Sequence, residues 1–145
     1  MPAVVLLLIL SLPLLGYGQS AETITEISFT TGTRGSQQEI RITPSTLHIA
    51  QKGRGGDQEA QHPLTAADWQ QLLGSLQGLS LKEMEQLPAP SEKRAWDGAY
   101  YSWISISTPT KSYTSQHFDD RSPHPKLLPL MREIERLEQA HSSKE

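Results

Sequence analysis

The sequence predicts an α+β domain. It would hold a single antiparallel β-sheet of about five strands, with helices packed on one face, in the order βββ-αα-ββ-α. Three observations carry this expectation. Apolar residues alternate with polar ones through 26–50 and again through 100–117. Two helix-start signals, Thr65 with Asp68 and Ser80 with Glu83, lie between those regions. The C-terminal stretch repeats apolar residues at helical spacing.

In "TEISFTT", Ile27 and Phe29 share one face of a half-exposed strand, and "GTRG" (Gly32 to Gly35) turns the chain. "QQEIRIT" places Ile40 and Ile42 opposite Glu39 and Arg41. Pro44 suits the first corner of a tight turn, and "TLHIAQ" resumes the alternation with Leu47 and Ile49, completing a meander. "KGRGGDQEAQHP" (52–63) is apolar-poor and Gly-rich and reads as an exposed loop. Thr65 then caps a helix carrying Trp69, Leu72, Leu73 and Leu76, stapled by Leu64 and closed by Gly78. Ser80 opens a short helix that Pro88 ends. In the next strand Tyr100, Ile104 and Ile106 fall on one face, and Tyr101 and Trp103 on the other. "TPTK" turns it, and "SYTSQHF" runs back as one partner strand. Leu127, Leu130, Met131, Ile134 and Leu137 mark the last helix, with Pro129 in its first turn, where a missing N–H costs little.

The opening "MPAVVLLLILSLPLLGYGQSAE" has the pattern of an export signal. An apolar run from Val4 to Leu15 is broken only by Ser11 and Pro13, and the small residues Gly16 and Gly18 precede a cleavage point. No Lys or Arg precedes the run, and it falls short of the roughly 20 apolar residues of a spanning helix. The expected organisation is therefore a cleavable signal peptide at 1–18, a single α+β domain at 19–141 and a frayed tail at 142–145, in a periplasmic or secreted protein. With no cysteine, the mature chain has no disulfide and its core must carry the fold. The net charge of −3 is mixed. Lys52 with Arg54 and Lys93 with Arg94 are the nearest approach to basic clusters, and neither forms the stripe that nucleic-acid binding needs. No cofactor is expected, nor any membrane span once the signal is removed.

"RAWDGAYYSWISIST" (94–108) holds Trp96, Tyr100, Tyr101 and Trp103, four of the chain's nine aromatic residues. One buried strand face accounts for some of them. It leaves Tyr101 and Trp103, with Trp96 in the lead-in turn, as a candidate contact surface or as packing under a second layer. Arg34, between glycines at a strand connection, is a candidate partner contact. Against that stands a plain turn in which the glycines supply positive φ. "HFDDRSPH" is the one dense group of ligand-type residues: His117, Asp119, Asp120 and His124 offer imidazoles and carboxylates that would suit a divalent metal. Their spacing matches no standard metal motif, and the structural reading is preferred: Asp119 and Asp120 cap a turn and His117 sits on a strand face. Ser115 with His117 and a neighbouring aspartate would be the pieces of a hydrolase, but no nucleophile signature such as G-x-S-x-G is present. "GRGGD" (53–57) lacks both phosphate-loop patterns.

With "ISFTTGTRG" after an export signal and "YTSQHFDD" before an amphipathic final helix, the chain resembles small uncharacterised exported proteins of bacterial envelopes. The resemblance spans nearly the whole mature chain and implies no activity. The expected function is an exported, non-catalytic binding domain for an unidentified protein or envelope partner. An inhibitor of an extracellular enzyme, acting through "GTRG" or "GRGGDQ", is the alternative within binding. A small hydrolase or metal protein using His117, Asp119, Asp120 and His124 is the alternative outside it.

Overall fold

Strand β1 (Glu26–Thr33) carries Ile27 and Phe29 at 0% exposure and organises the sheet around itself. On one side it pairs with β2 (Ser36–Ile42), which continues as an antiparallel meander through β3 (Thr46–Gly53) to β4 (Gln58–Pro63). On its other side β1 pairs with β5 (Tyr101–Ser107), whose far edge takes β6 (Ser112–Thr114) and then β7 (Phe118–Asp119). The result is a seven-stranded antiparallel sheet, in the order β4-β3-β2-β1-β5-β6 with β7 beside β6 on β5. The computed structural model describes residues 23–96 and 98–142, so the expected signal peptide at 1–18 and residues 143–145 of the expected tail lie outside the described residues.

Register places the apolar residues in rows. Ile106, Ile27, Ile42 and Leu47 stand side by side, as do Ile104, Phe29 and Ile40. Helices cover this face. Helix α1 (Ala66–Gly74) contributes Trp69 and Leu72, the single turn α2 (Leu81–Met84) contributes Met84, and α3 (Leu128–Ser142) contributes Leu130, Met131, Ile134 and Leu137. Sheet and helices share one apolar cluster, which makes this a single α+β domain. Each large side chain buried there contributes about 1.5–3 kcal/mol. Both anticipated helix caps form: Thr65 Oγ1 accepts from the Asp68 N–H at 3.1 Å, and Ser80 Oγ from the Glu83 N–H at 3.0 Å. Pro129 lies in the first turn of α3, after a 3-10 turn at Pro125–Leu127. None of the helices among the described residues is long and apolar enough to cross a membrane.

Several expectations need correction. The segment 52–63 is not a loop. β3 runs to Gly53, a turn follows in which Gly56 takes φ +98°, and β4 returns along β3. β4 escapes detection because it is an edge strand whose residues are nearly all exposed, so it has no apolar alternation. The sheet therefore has seven strands rather than five. "SYTSQHF" is not one strand either. It breaks at Ser115, whose Oγ accepts from the Ile104 N–H at 3.0 Å where a ladder carbonyl would otherwise stand. Tyr100 does not join Ile104 and Ile106 in the core. It precedes β5 and stays 47% exposed, and Ser102 fills the buried position on that face. Helix α1 ends at Gly74, before Gly78. Ser75 Oγ donates back to the Leu72 carbonyl at 2.5 Å, and 3-10 bonds tighten the chain down to Gly78 at φ +81°. Ser142, expected to fray, still belongs to α3 and bonds the Glu138 carbonyl at 2.9 Å.

Candidate functional site

The face of the sheet opposite the helices is largely polar, except at one end. There β5 directs Tyr101 and Trp103 outward, beside Gly32 and Thr30 of β1. The two aromatics stand on the face away from the helices and lie under no second layer, with Tyr101 exposed at 46% and Trp103 half-buried. The β1–β2 turn, Arg34 and Gly35, rises on one side. On the other lies the loop that carries Trp96, Gly98 and Ala99 into β5. Between them is a groove of about 680 Å³ lined by Arg34, Arg94, Trp96, Tyr101 and Trp103 together with small residues of both walls. All four residues expected to contact a partner (Arg34, Trp96, Tyr101 and Trp103) thus border one cavity, although Arg34 and Trp96 lie far apart in the chain.

The glycine beside the aromatics has a steric role. Gly32 does not adopt positive φ, and neither does Gly35. A Cβ on Gly32 would stand 2.6 Å from the Ser36 carbonyl oxygen, so close approach of the two hairpin strands requires glycine there. At the start of β5, Gly98 does take positive φ, at +68°, and it turns the chain from Trp96 onto the strand.

The loop bearing Trp96 is held by a carboxylate whose role sequence reasoning missed. Asp119 of β7 is 3% exposed. Its Oδ2 accepts from Ser91 Oγ at 2.5 Å and from the Lys93 N–H at 2.7 Å, and its Oδ1 accepts from the Arg94 N–H and guanidinium, each at 3.0 Å. Burial alone would raise its pKa. The hydrogen bonds from Ser91, Arg94 and Lys93 outweigh burial and hold the carboxyl well below the usual carboxylate range. Arg94 also donates to the Ser91 carbonyl at 2.8 Å and lies 5.5 Å from the Tyr101 ring centroid, so the anchor extends directly into the groove. The neighbouring Asp120 sits at φ 51°, and its Oδ1 accepts from the Tyr100 N–H at 2.9 Å, fixing the residue before β5.

No protein-family model matches this chain, and no curated protein matches it.

Of the four metal-candidate residues, none turns toward a shared point. Asp119 is enclosed by the Ser91–Arg94 loop, and Asp120 bonds Tyr100. His117 packs its ring against Tyr101 and Trp103, at centroid distances of 4.8 and 5.3 Å. His124 Nδ1 accepts from the Lys126 N–H at 3.1 Å, capping the 3-10 turn before α3. Among the described residues no group of three or more His, Asp or Glu side chains is placed to hold a metal ion. Ser115 is likewise committed, since its Oγ bridges the Ile104 N–H and the Gln116 carbonyl, each at 3.0 Å. His117 faces the aromatic pair, so the geometry assembles a ring cluster of Trp103, His117 and Tyr101 with Arg94 at its end. Such a surface can stack flat apolar groups and pair with anions.

Proposed function

We propose that this protein is an exported, non-catalytic binding domain that captures a protein partner in the groove of Arg34, Trp96, Tyr101 and Trp103. One observation carries the reading. Among the described residues, the large hydrophobic side chains left exposed are Trp96 at 73%, Tyr100 at 47% and Tyr101 at 46%, and all three lie where the chain enters β5. Scattered exposed apolar residues are ordinary, but two of these three, Trp96 and Tyr101, border one groove with Trp103, and such clustering marks a contact surface. Trp, Tyr and Arg are also the residues that dominate binding energy at protein interfaces.

The chemistry of the groove supports an acidic partner segment. Arg34 projects from the β1–β2 turn and makes no ion pair within the described residues, and the described lining of the groove includes no carboxylate. An extended acidic segment, with an apolar side chain to lie on Tyr101 and Trp103, complements this surface. Export to the periplasm or outside the cell is part of the proposal and rests on the apolar run at Val4–Leu15. The inhibitor reading keeps one supporting observation: Arg34 stands at the apex of a two-residue turn held by the β1–β2 ladder, a rigid presentation of one basic side chain.

Capture from the exported fraction of source cells tests the reading, using the wild-type domain alongside Trp96→Ala, Arg34→Glu and the distant surface variant Arg132→Ala. The proposal requires one component retained by wild type and Arg132→Ala and lost from both groove variants. Equal retention by all four proteins would refute it.

A further inference from the structure

A second cavity flanks the same hairpin on the helix side of the sheet. It measures about 840 Å³, and its floor is unusual for this face. One row beyond Ile104, Phe29 and Ile40, register places Ser102, Thr31, Gln38, Gln51 and Gln58 side by side across five strands. This face is otherwise the one that packs against the helices, so a polar row here is a departure from the pattern that builds the core. The end of α3 accounts for part of it: Gln38 donates to Glu138 at 2.8 Å and accepts from Arg121 at 3.1 Å. Thr31 and Ser102 bond one another at 2.7 Å. Gln51 and Gln58 have no such explanation. Both are exposed, and neither side chain makes a hydrogen bond within the described residues.

We infer that this shelf is a binding site for an acidic saccharide. Neighbouring strands stand about 4.8 Å apart, a spacing comparable to one sugar ring, so paired amides on adjacent strands meet successive rings of a chain lying across the sheet. Each glutamine offers donors and an acceptor on one planar group, which matches vicinal hydroxyls. Tyr100 borders the same cavity and supplies an aromatic surface for the apolar face of a ring. Charge defines the class further. Lys52 and Arg54 border the cavity without an ion pair in the described residues, and Arg121 also borders it, held by Glu138 at 2.6 Å. The carboxylate in the described lining, Asp120, is already engaged by the Tyr100 N–H. In a chain of net charge −3 this local excess of cations favours a sugar bearing a carboxylate or sulfate.

This inference stands apart from the protein-binding groove, and the test separates them. Calorimetric titration of the full domain would use a galacturonic acid tetramer, the matching neutral galactose tetramer, and a tetraglutamate peptide. The uronide should bind, and the neutral sugar and the peptide should each bind at least about tenfold more weakly. Gln51→Ala combined with Gln58→Ala, and separately Lys52→Gln, should weaken uronide binding by about tenfold. These side chains are exposed, so the variants retain the fold. Trp96→Ala should leave uronide binding unchanged. Absence of uronide binding overturns the inference, and so does equal binding of tetraglutamate or of the neutral sugar. Loss of uronide binding in Trp96→Ala would assign the ligand to the groove and overturn it equally.

Discussion

Replacing Asp119 by Asn keeps the shape of the side chain and removes its charge. In the native protein four donors converge on the carboxylate: the Ser91 hydroxyl and the Lys93 N–H on one oxygen, and the Arg94 N–H and guanidinium on the other. An amide has one acceptor oxygen, so whichever way Asn is turned, its NH₂ faces two donors. Arg94 then remains at 13% side-chain exposure without its counter-ion. Removing one partner of a buried pair costs about 3–5 kcal/mol. Arg94 keeps its bond to the Ser91 carbonyl, which places the expected loss at the lower end, about 3 kcal/mol. For a domain of this size that lowers Tm by roughly 10 °C. Urea unfolding gives the free energy, and trypsin gives the locality, because Lys93 and Arg94 are themselves cleavage sites in the anchored loop. The variant should be cut there at urea concentrations that leave the wild-type loop intact. A loss below about 1 kcal/mol, with unchanged cleavage at Lys93 and Arg94, would refute the argument that Asp119 holds the loop bearing Trp96.

Further outcomes follow from the same geometry. Because the folded pKa of Asp119 is depressed, its contribution is full above the unfolded value of about 3.9 and is lost as pH falls toward the folded pKa. The stability gap between wild type and Asp119→Asn should therefore be constant near neutrality and shrink below about pH 4 in acid-unfolding curves. Gly32→Ala forces a Cβ against the Ser36 carbonyl at 2.6 Å and should cost about 1–3 kcal/mol in denaturant unfolding, whereas Gly55→Ala, with open space around it, should cost far less. Ser115→Ala leaves the buried Ile104 N–H without its acceptor and should cost about 1–3 kcal/mol, with faster amide exchange at Ile104 by NMR. Trp96→Ala removes a side chain that is 73% exposed, and should change stability by no more than about 0.5 kcal/mol.

What could be read from the sequence follows the reach of each signal. Elements with one buried face were visible, because alternation or helical spacing records burial directly: Ile27 with Phe29, Ile40 with Ile42, and the α3 stripe from Leu130 to Leu137 are all buried. The helix caps at Thr65 and Ser80 are local chemistry and form as expected. β4 has no buried face and therefore no pattern, so only its pairing with β3 reveals it. The aromatic residues of the groove stand out individually, since Tyr101 and Trp103 have the wrong parity for the core. Their meeting with Arg34 depends on β5 lying beside β1, a pairing between distant segments that no local spacing encodes. In the sequence Asp119 reads as a metal-ligand or turn-capping candidate beside Asp120. Its binding of the Ser91–Arg94 loop joins two stretches that each read as irregular, and nothing in either implied the other. The clustering of His117, Asp119, Asp120 and His124 in the chain suggested a metal site, and backbone geometry disperses it: positive φ at Asp120 and the turn before α3 point the side chains into separate interactions.

Site-specific photo-crosslinking in source cells measures the central claim most directly. A benzophenone side chain would replace Trp96, Tyr101 or, as a control, the exposed Gln70 on α1. The account predicts a discrete adduct of one partner protein from positions 96 and 101 and none from position 70. An adduct from position 70 alone would contradict the groove as the contact surface, as would the absence of any adduct from both groove positions.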